Sequence, residues 1–172
     1  MTRNARRPPL LLLTGAVALV FALTACASAS STVAADPRVS IPADAQTVTL
    51  SLNYGGNADG RKPPAPVTVT SSTKVSKVTG LVAGQPSAPS GMISCPDSDG
   101  KALKLVFRAD PGGPAVATAV LGLDGCEFTD LTVGGKDHPL GEEGSARSVA
   151  TRVLQDVGVA WKLPPFQWPP QS

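Results

Sequence analysis

From Thr47 to Asn53 the chain alternates without a break: Val48, Leu50 and Leu52 on one side, Thr47, Thr49 and Ser51 on the other. A period of two predicts a half-buried β-strand. The run "YGGNADGRKPPAP" is a loop by its Gly, Asn and Pro content. "VTVT" (67–70) resumes the alternation. The period then changes: Val75, Val78, Leu81 and Val82 fall at helical spacing, Ser71-Ser72-Thr73 offers N-caps, and Gly84 and Pro86 stop the run. This predicts an amphipathic helix over 73–83, followed by a loop, "GQPSAPSG".

Beyond Cys95 the alternation returns. Leu103, Leu105 and Phe107 share one face of a strand over 102–108; "ADPGGP" is a turn, and "AVATAVL" (115–121) a second strand. Asp124-Gly125 turns again, and "CEFTDLTV" starts a third strand with Cys126 at its beginning. Gly134-Gly135 allows a tight hairpin into a short segment around Lys136–His138. Ser145–Val157 carries the clearest helical stripe, with Ala146, Val149, Ala150, Val153, Leu154 and Val157 on one side and Gly158 after it. The predicted order is β-β-α-β-β-β-(β)-α. Each element has one apolar side to cover, so the economical class is α+β: a mostly antiparallel sheet with two helices on one face. Trp161 and Leu163 would tuck a last extended segment against the core.

The N-terminus changes the picture. Arg3, Arg6 and Arg7 precede an almost continuously apolar run, Leu10–Leu23, too short for a membrane span of ~20 residues. A basic region, an apolar region and small residues make a secretory signal. Arg6-Arg7 hints at a twin-arginine signal, though Pro8-Pro9 follow. Leu23-Thr24-Ala25-Cys26 resembles the bacterial lipobox, which implies cleavage before Cys26 and acylation of its sulfur and freed amine. Two or three acyl chains, at ~0.8 kcal/mol per buried methylene, hold a protein on a bilayer where one does not. The alternative is an ordinary signal cut after Ala25 or a nearby alanine, with Cys26 incidental; charge, length and the four-residue box favour the lipobox. Four regions result: a signal over 1–25, a flexible Ser/Ala/Pro-rich tether over 26–45, one domain over 46–164, and a proline-rich tail over 165–172. The expected location is the extracytoplasmic face of the cell membrane, with the membrane itself a partner through the lipid.

Cleavage removes the three arginines and no acid, so the formal charge falls from +2 to −1. No basic face remains to attract nucleic acid, and aromatic residues, 4% of the chain, are too few for base stacking. With Cys26 lipidated, Cys95 and Cys126 are left as an even pair, which an oxidising compartment joins as a disulfide by default. Closing a loop of ~32 residues stabilises the fold by roughly 3–4 kcal/mol. Zinc needs four close ligands and a redox pair needs C-x-x-C; neither pattern is present.

Few residues carry a chemical signature. Asp97-Ser98-Asp99-Gly100 begins like a calcium loop, but setting Gly100 at the sixth position puts Cys95 at the first and Val106 at the twelfth, where oxygen ligands are required. A polar turn accounts for it. The single histidine, His138, stands beside Asp137 and Pro139 in what reads as a loop, with no nucleophile placed near it by any motif. Glu142-Glu143 suit the positive end of the last helix's dipole. Trp161, Phe166 and Trp168 cluster among prolines, either as a patch for a ligand or partner or as core and tail. No cofactor and no metal site are expected.

Two resemblances extend this reading. The lipobox together with "VTVTSSTKVSKVTGLVAGQP", "SCPDSDGKALKLVF", "LGLDGC" and "SVATRVLQDVG" resembles uncharacterised actinobacterial lipoproteins, which implies a small cell-surface domain and brings no known activity. Cys95-Pro96, a meander and Cys126 resemble the reactive-loop half of the subtilisin-inhibitor family. That resemblance implies an exposed substrate-like loop over Pro96, Asp97 and Ser98, with Asp97 at the primary specificity position and Ser98 across the scissile bond. The family's upstream disulfide is missing here, and the C-terminal helix is extra. The expected function is a membrane-anchored, non-enzymatic binding or accessory module for an unknown protein or small molecule, with protease inhibition as the alternative.

Overall fold

The computed structural model describes residues 39–56, 61–91 and 93–166. The protein is α+β. Six strands, β1 (Thr47–Tyr54), β2 (Val67–Val69), β3 (Lys101–Arg108), β4 (Ala115–Gly122), β5 (Thr129–Val133) and β6 (Lys136–Leu140), form one antiparallel sheet in the order β2-β1-β3-β4-β5-β6. Helix α1 (Ser72–Ala83) lies between β2 and β3 in sequence, and α2 (Ser145–Val157) follows β6.

The alternation of side chains places one row of each strand in the core. Val48, Leu50 and Leu52 of β1 face Phe107, Leu105 and Leu103 of β3, which face Ala117, Ala119 and Leu121 of β4. Leu103, Leu105, Phe107, Ala119 and Leu121 are wholly buried. Each large member contributes about 1.5–3 kcal/mol through the apolar surface it removes from water. Val75, Val78 and Val82 of α1 and Ala146, Ala150, Val153, Leu154 and Val157 of α2 cover this same face. The alanines of β4 leave room beneath α2, which packs on that strand while α1 packs on β1. The two helices also touch each other: Lys74 of α1 donates from Nζ to the carbonyl of Val157 at 2.8 Å, meeting the negative end of α2.

The opposite face is half-exposed. One row across all six strands reads Thr68, Thr49, Val106, Thr118, Thr132 and Asp137. Thr49 and Thr68 share a hydroxyl hydrogen bond of 3.0 Å, and Thr132 donates to Asp137 at 2.7 Å. An antiparallel sheet with one wet face is expected to carry such β-branched polar residues.

Several boundaries move. Ser71 sits at the N-cap of α1, but its side chain makes no capping bond. The third meander strand begins at Thr129, so Cys126 lies in a turn ahead of it rather than at its start. The segment after Gly134-Gly135 is a full strand, and His138 lies within it, opposite Leu131, instead of in a loop. Both glycines of that hairpin have positive φ, 57° and 77°, which a two-residue turn matching the twist of its strands requires. Pro139 is accommodated because β6 is an edge strand, its outer side bridged to Ser87. Residues 39–45, compositionally the end of the tether, bring Ile41 into the core at 5% exposure, with Val39 and Ala45 packed alongside.

Candidate functional site

The loop that enters β3 and the turn that leaves β4 meet at one end of the sheet. Cys95 and Cys126 are joined there, with Sγ atoms 1.99 Å apart and Cα atoms 5.1 Å apart. Cys95 is exposed and Cys126 buried. The bond ties the loop to the turn Leu123–Glu127.

A second tie is polar. Asp124 Oδ1 accepts the Ser98 hydroxyl at 2.7 Å. Its Oδ2 accepts the backbone N–H groups of Asp99 at 2.8 Å and Lys101 at 3.1 Å. Ser98 Oγ in turn accepts the Gly100 N–H at 3.1 Å. Charge-assisted bonds of this kind are about twice as strong as neutral ones. Further backbone bonds close the frame: Leu123 N–H to Lys101 O at 2.8 Å and Gly56 N–H to Asp99 O at 3.0 Å. Asn53 Nδ2 donates to Gly100 O at 3.1 Å. The Lys101 ammonium pairs with Asp99 at 3.3 Å while its stem is buried at the end of the β3 core row.

Within this frame Asp97 is exposed and its carboxylate makes no hydrogen bond among the described residues. Pro96 is half-buried and Ser98 exposed. Ile93, just upstream, is one of two large apolar side chains exposed among the described residues, the other being Phe166. The loop therefore presents Ile93 and Asp97 outward from a backbone held at both sides. A cavity of about 390 Å³ lies beside it, bounded by Pro96, Ser98, Ala102, Val120, Phe128 and Asp130.

The turn is itself gripped from behind. Arg147 of α2 donates from Nε to Glu127 at 2.7 Å, from Nη1 to Pro164 O at 2.8 Å and from Nη2 to Leu123 O. Its guanidinium lies 5.8 Å from the centre of the Phe166 ring. Glu127 is 5% exposed and is the one described non-glycine residue with left-handed backbone, at φ 52°. Such a conformation costs about 1–3 kcal/mol. It turns the Glu127 carbonyl to the Ala146 N–H at 2.9 Å, while the Cys126 carbonyl takes the Gly144 N–H at 3.0 Å. The N-terminus of α2 is thus capped by backbone of the turn. Glu142 and Glu143 stand before it, exposed.

Of the residues singled out in the sequence, Cys95, Pro96, Asp97, Ser98 and Cys126 come together. Asp124, Glu127 and Arg147 join them without any sequence signal beyond the Asp-Gly turn at 124–125. His138 is apart from this cluster, half-buried on β6. Trp161 and Leu163 pack against the core, and Phe166 meets Arg147. Among the described residues no group of three or more His, Cys, Asp and Glu side chains is disposed to hold a metal, and no helix is long and apolar enough to cross a membrane. Cys26, residues 1–25 expected to be a signal, the expected tether up to residue 38, and residues 167–172 of the expected tail, Trp168 among them, lie outside the described residues. Comparisons with protein-family models, with curated proteins and with solved structures find no match to this chain.

Proposed function

We propose that this chain is a lipid-anchored extracytoplasmic lipoprotein whose domain is a non-enzymatic binding module, with the loop Cys95–Lys101 as its recognition element. One observation carries the choice of loop. Asp97 is exposed and uncommitted while its neighbours are held by the disulfide and by three hydrogen bonds to Asp124. A segment ordered before it binds loses less conformational freedom on binding, so its contacts translate into affinity. The disulfide also fits the oxidising side of a membrane.

The anchor is tested by growing cells with labelled palmitate. Label and membrane association should both disappear in Cys26→Ser; a Cys26→Ser chain that stays on the membrane overturns the anchor. The recognition element is tested with the full chain in native membranes, by cross-linking wild type beside Ile93→Ala and Asp97→Gly. A partner held by wild type and released by both variants supports the loop. A partner held equally by all three overturns it. Turnover in an unbiased hydrolase screen would overturn the non-enzymatic reading.

The loop also favours a second reading, inhibition of a subtilisin-like protease. Asp97 projects, and Ser98, the next residue, is fixed to the scaffold through Asp124 at 2.7 Å. A substrate-like loop that is to stay in a cleft uncut needs that combination. Stoichiometric loss of activity across a panel of subtilisin-like enzymes, abolished by Asp97→Gly, separates this reading from the first.

A further inference from the structure

We infer that Arg147, on α2 and outside the recognition loop, is the positioning residue that sets the loop's conformation. The inference rests on the loop reading above and adds the element that controls it. Arg147 holds both ends of one five-residue turn: Nη2 donates to the Leu123 carbonyl and Nε to the Glu127 carboxylate at 2.7 Å. The residues between these grips are the ones that hold the loop. Asp124 accepts the Asp99 and Lys101 N–H groups and the Ser98 hydroxyl. Cys126 carries the disulfide to Cys95. Gly125 lies so close that a Cβ built on it would stand 3.4 Å from both Pro96 O and Ser98 Cβ. The planar guanidinium reaches carbonyl and carboxylate at once, with a third donor on Pro164 O at 2.8 Å; an ammonium cannot span all three. The left-handed backbone at Glu127, φ 52°, is the part of the turn with most to gain by relaxing once the grip is lost.

The test uses the full-length chain as wild type, Arg147→Lys and Glu127→Gln, read by amide hydrogen exchange. The loop amides are Asp99 and Lys101; the reference amides are Leu105 and Ala119 in the centre of the sheet. In Arg147→Lys the loop amides should exchange at least tenfold faster with the reference amides unchanged, and Glu127→Gln should produce a smaller change of the same pattern. Unchanged loop amides overturn the inference. So does an equal acceleration of loop and reference amides, which is what a merely structural arginine would give. If the loop loosens in Arg147→Lys while Asp97→Gly still holds every cross-linked partner, the positioning role stands and the recognition reading falls.

Discussion

Asp124 and Lys101 are bonded reciprocally through their segments: Asp124 Oδ2 accepts the Lys101 N–H at 3.1 Å, and the carbonyl of Lys101 accepts the N–H of Leu123, the residue before Asp124, at 2.8 Å. The pair joins the first residue of β3 to the turn after β4. Because the same carboxylate also holds Ser98 and Asp99, it fixes the last residues of the entering loop, Ser98 to Lys101.

Asp124→Ala should therefore remove an acceptor from two backbone N–H groups at once. Lys101 is buried, so water replaces the carboxylate only in part. The expected loss is about 1–3 kcal/mol of stability, read as a shift of the urea unfolding midpoint. A midpoint equal to wild type would show that the bonds contribute nothing net.

Removing the Cys95–Cys126 bond by Cys95→Ser with Cys126→Ser should cost about 3–4 kcal/mol for a bridge of this span; its ends are 31 residues apart. The sheet core does not pass through either cysteine, so the far-ultraviolet circular dichroism of the folded double variant should match wild type. Equal unfolding midpoints for oxidised and reduced wild type would contradict the expectation.

Two glycines with similar backbone separate strain from contact. Gly55 has φ +80°, and a Cβ there would stand 2.6 Å from the Asp99 carbonyl oxygen; Gly134 has φ +57° with nothing within 4 Å. Both alanine variants pay for a left-handed residue, about 1–2 kcal/mol. Gly55→Ala must also push away the Asp99 backbone and its bond to Gly56. It should be the more destabilised of the two in thermal melts and should expose the 95–100 loop to limited proteolysis. The reverse ranking would mean that the loop yields without cost.

Lys74→Met retains the apolar stem and removes the ammonium that meets Val157 O at 2.8 Å. About 1 kcal/mol should be lost, combining one charged hydrogen bond and the helix-end interaction, with partial replacement by water. Salt should reduce the difference between the two proteins. A Lys74→Met chain as stable as wild type at low salt would assign the contact no energetic role.

The amino-acid order by itself determined most of the elements and, for β1, β3 and the two helices, the face each one buries. The strict alternation of Val48, Leu50 and Leu52, or of Leu103, Leu105 and Phe107, admits one buried side per strand. The stripe from Ala146 to Val157 does the same for α2, which spans Ser145–Val157 as its periodicity predicts. The Cys95–Cys126 pairing was also legible: once Cys26 is read as lipidated, these two sulfurs have one partner each.

Tertiary structure alone decided the rest. Local pattern carries no information on which strands are neighbours; β3 stands beside β1 with β2 on the outer edge, while α1 packs on β1 and α2 on β4. The turn chemistry of Asp124-Gly125 announced a bend but not that its carboxylate would fix a loop 23 to 26 residues away in sequence. Arg147 reads as a polar residue off the apolar stripe, and Glu127 as a strand residue. Their meeting at 2.7 Å depends on α2 docking its N-terminus onto the turn, a long-range contact that no periodicity encodes. His138 and Pro139 looked like a loop because proline forbids an interior ladder bond; they are strand because β6 is an edge, and being an edge is a property of the assembled sheet.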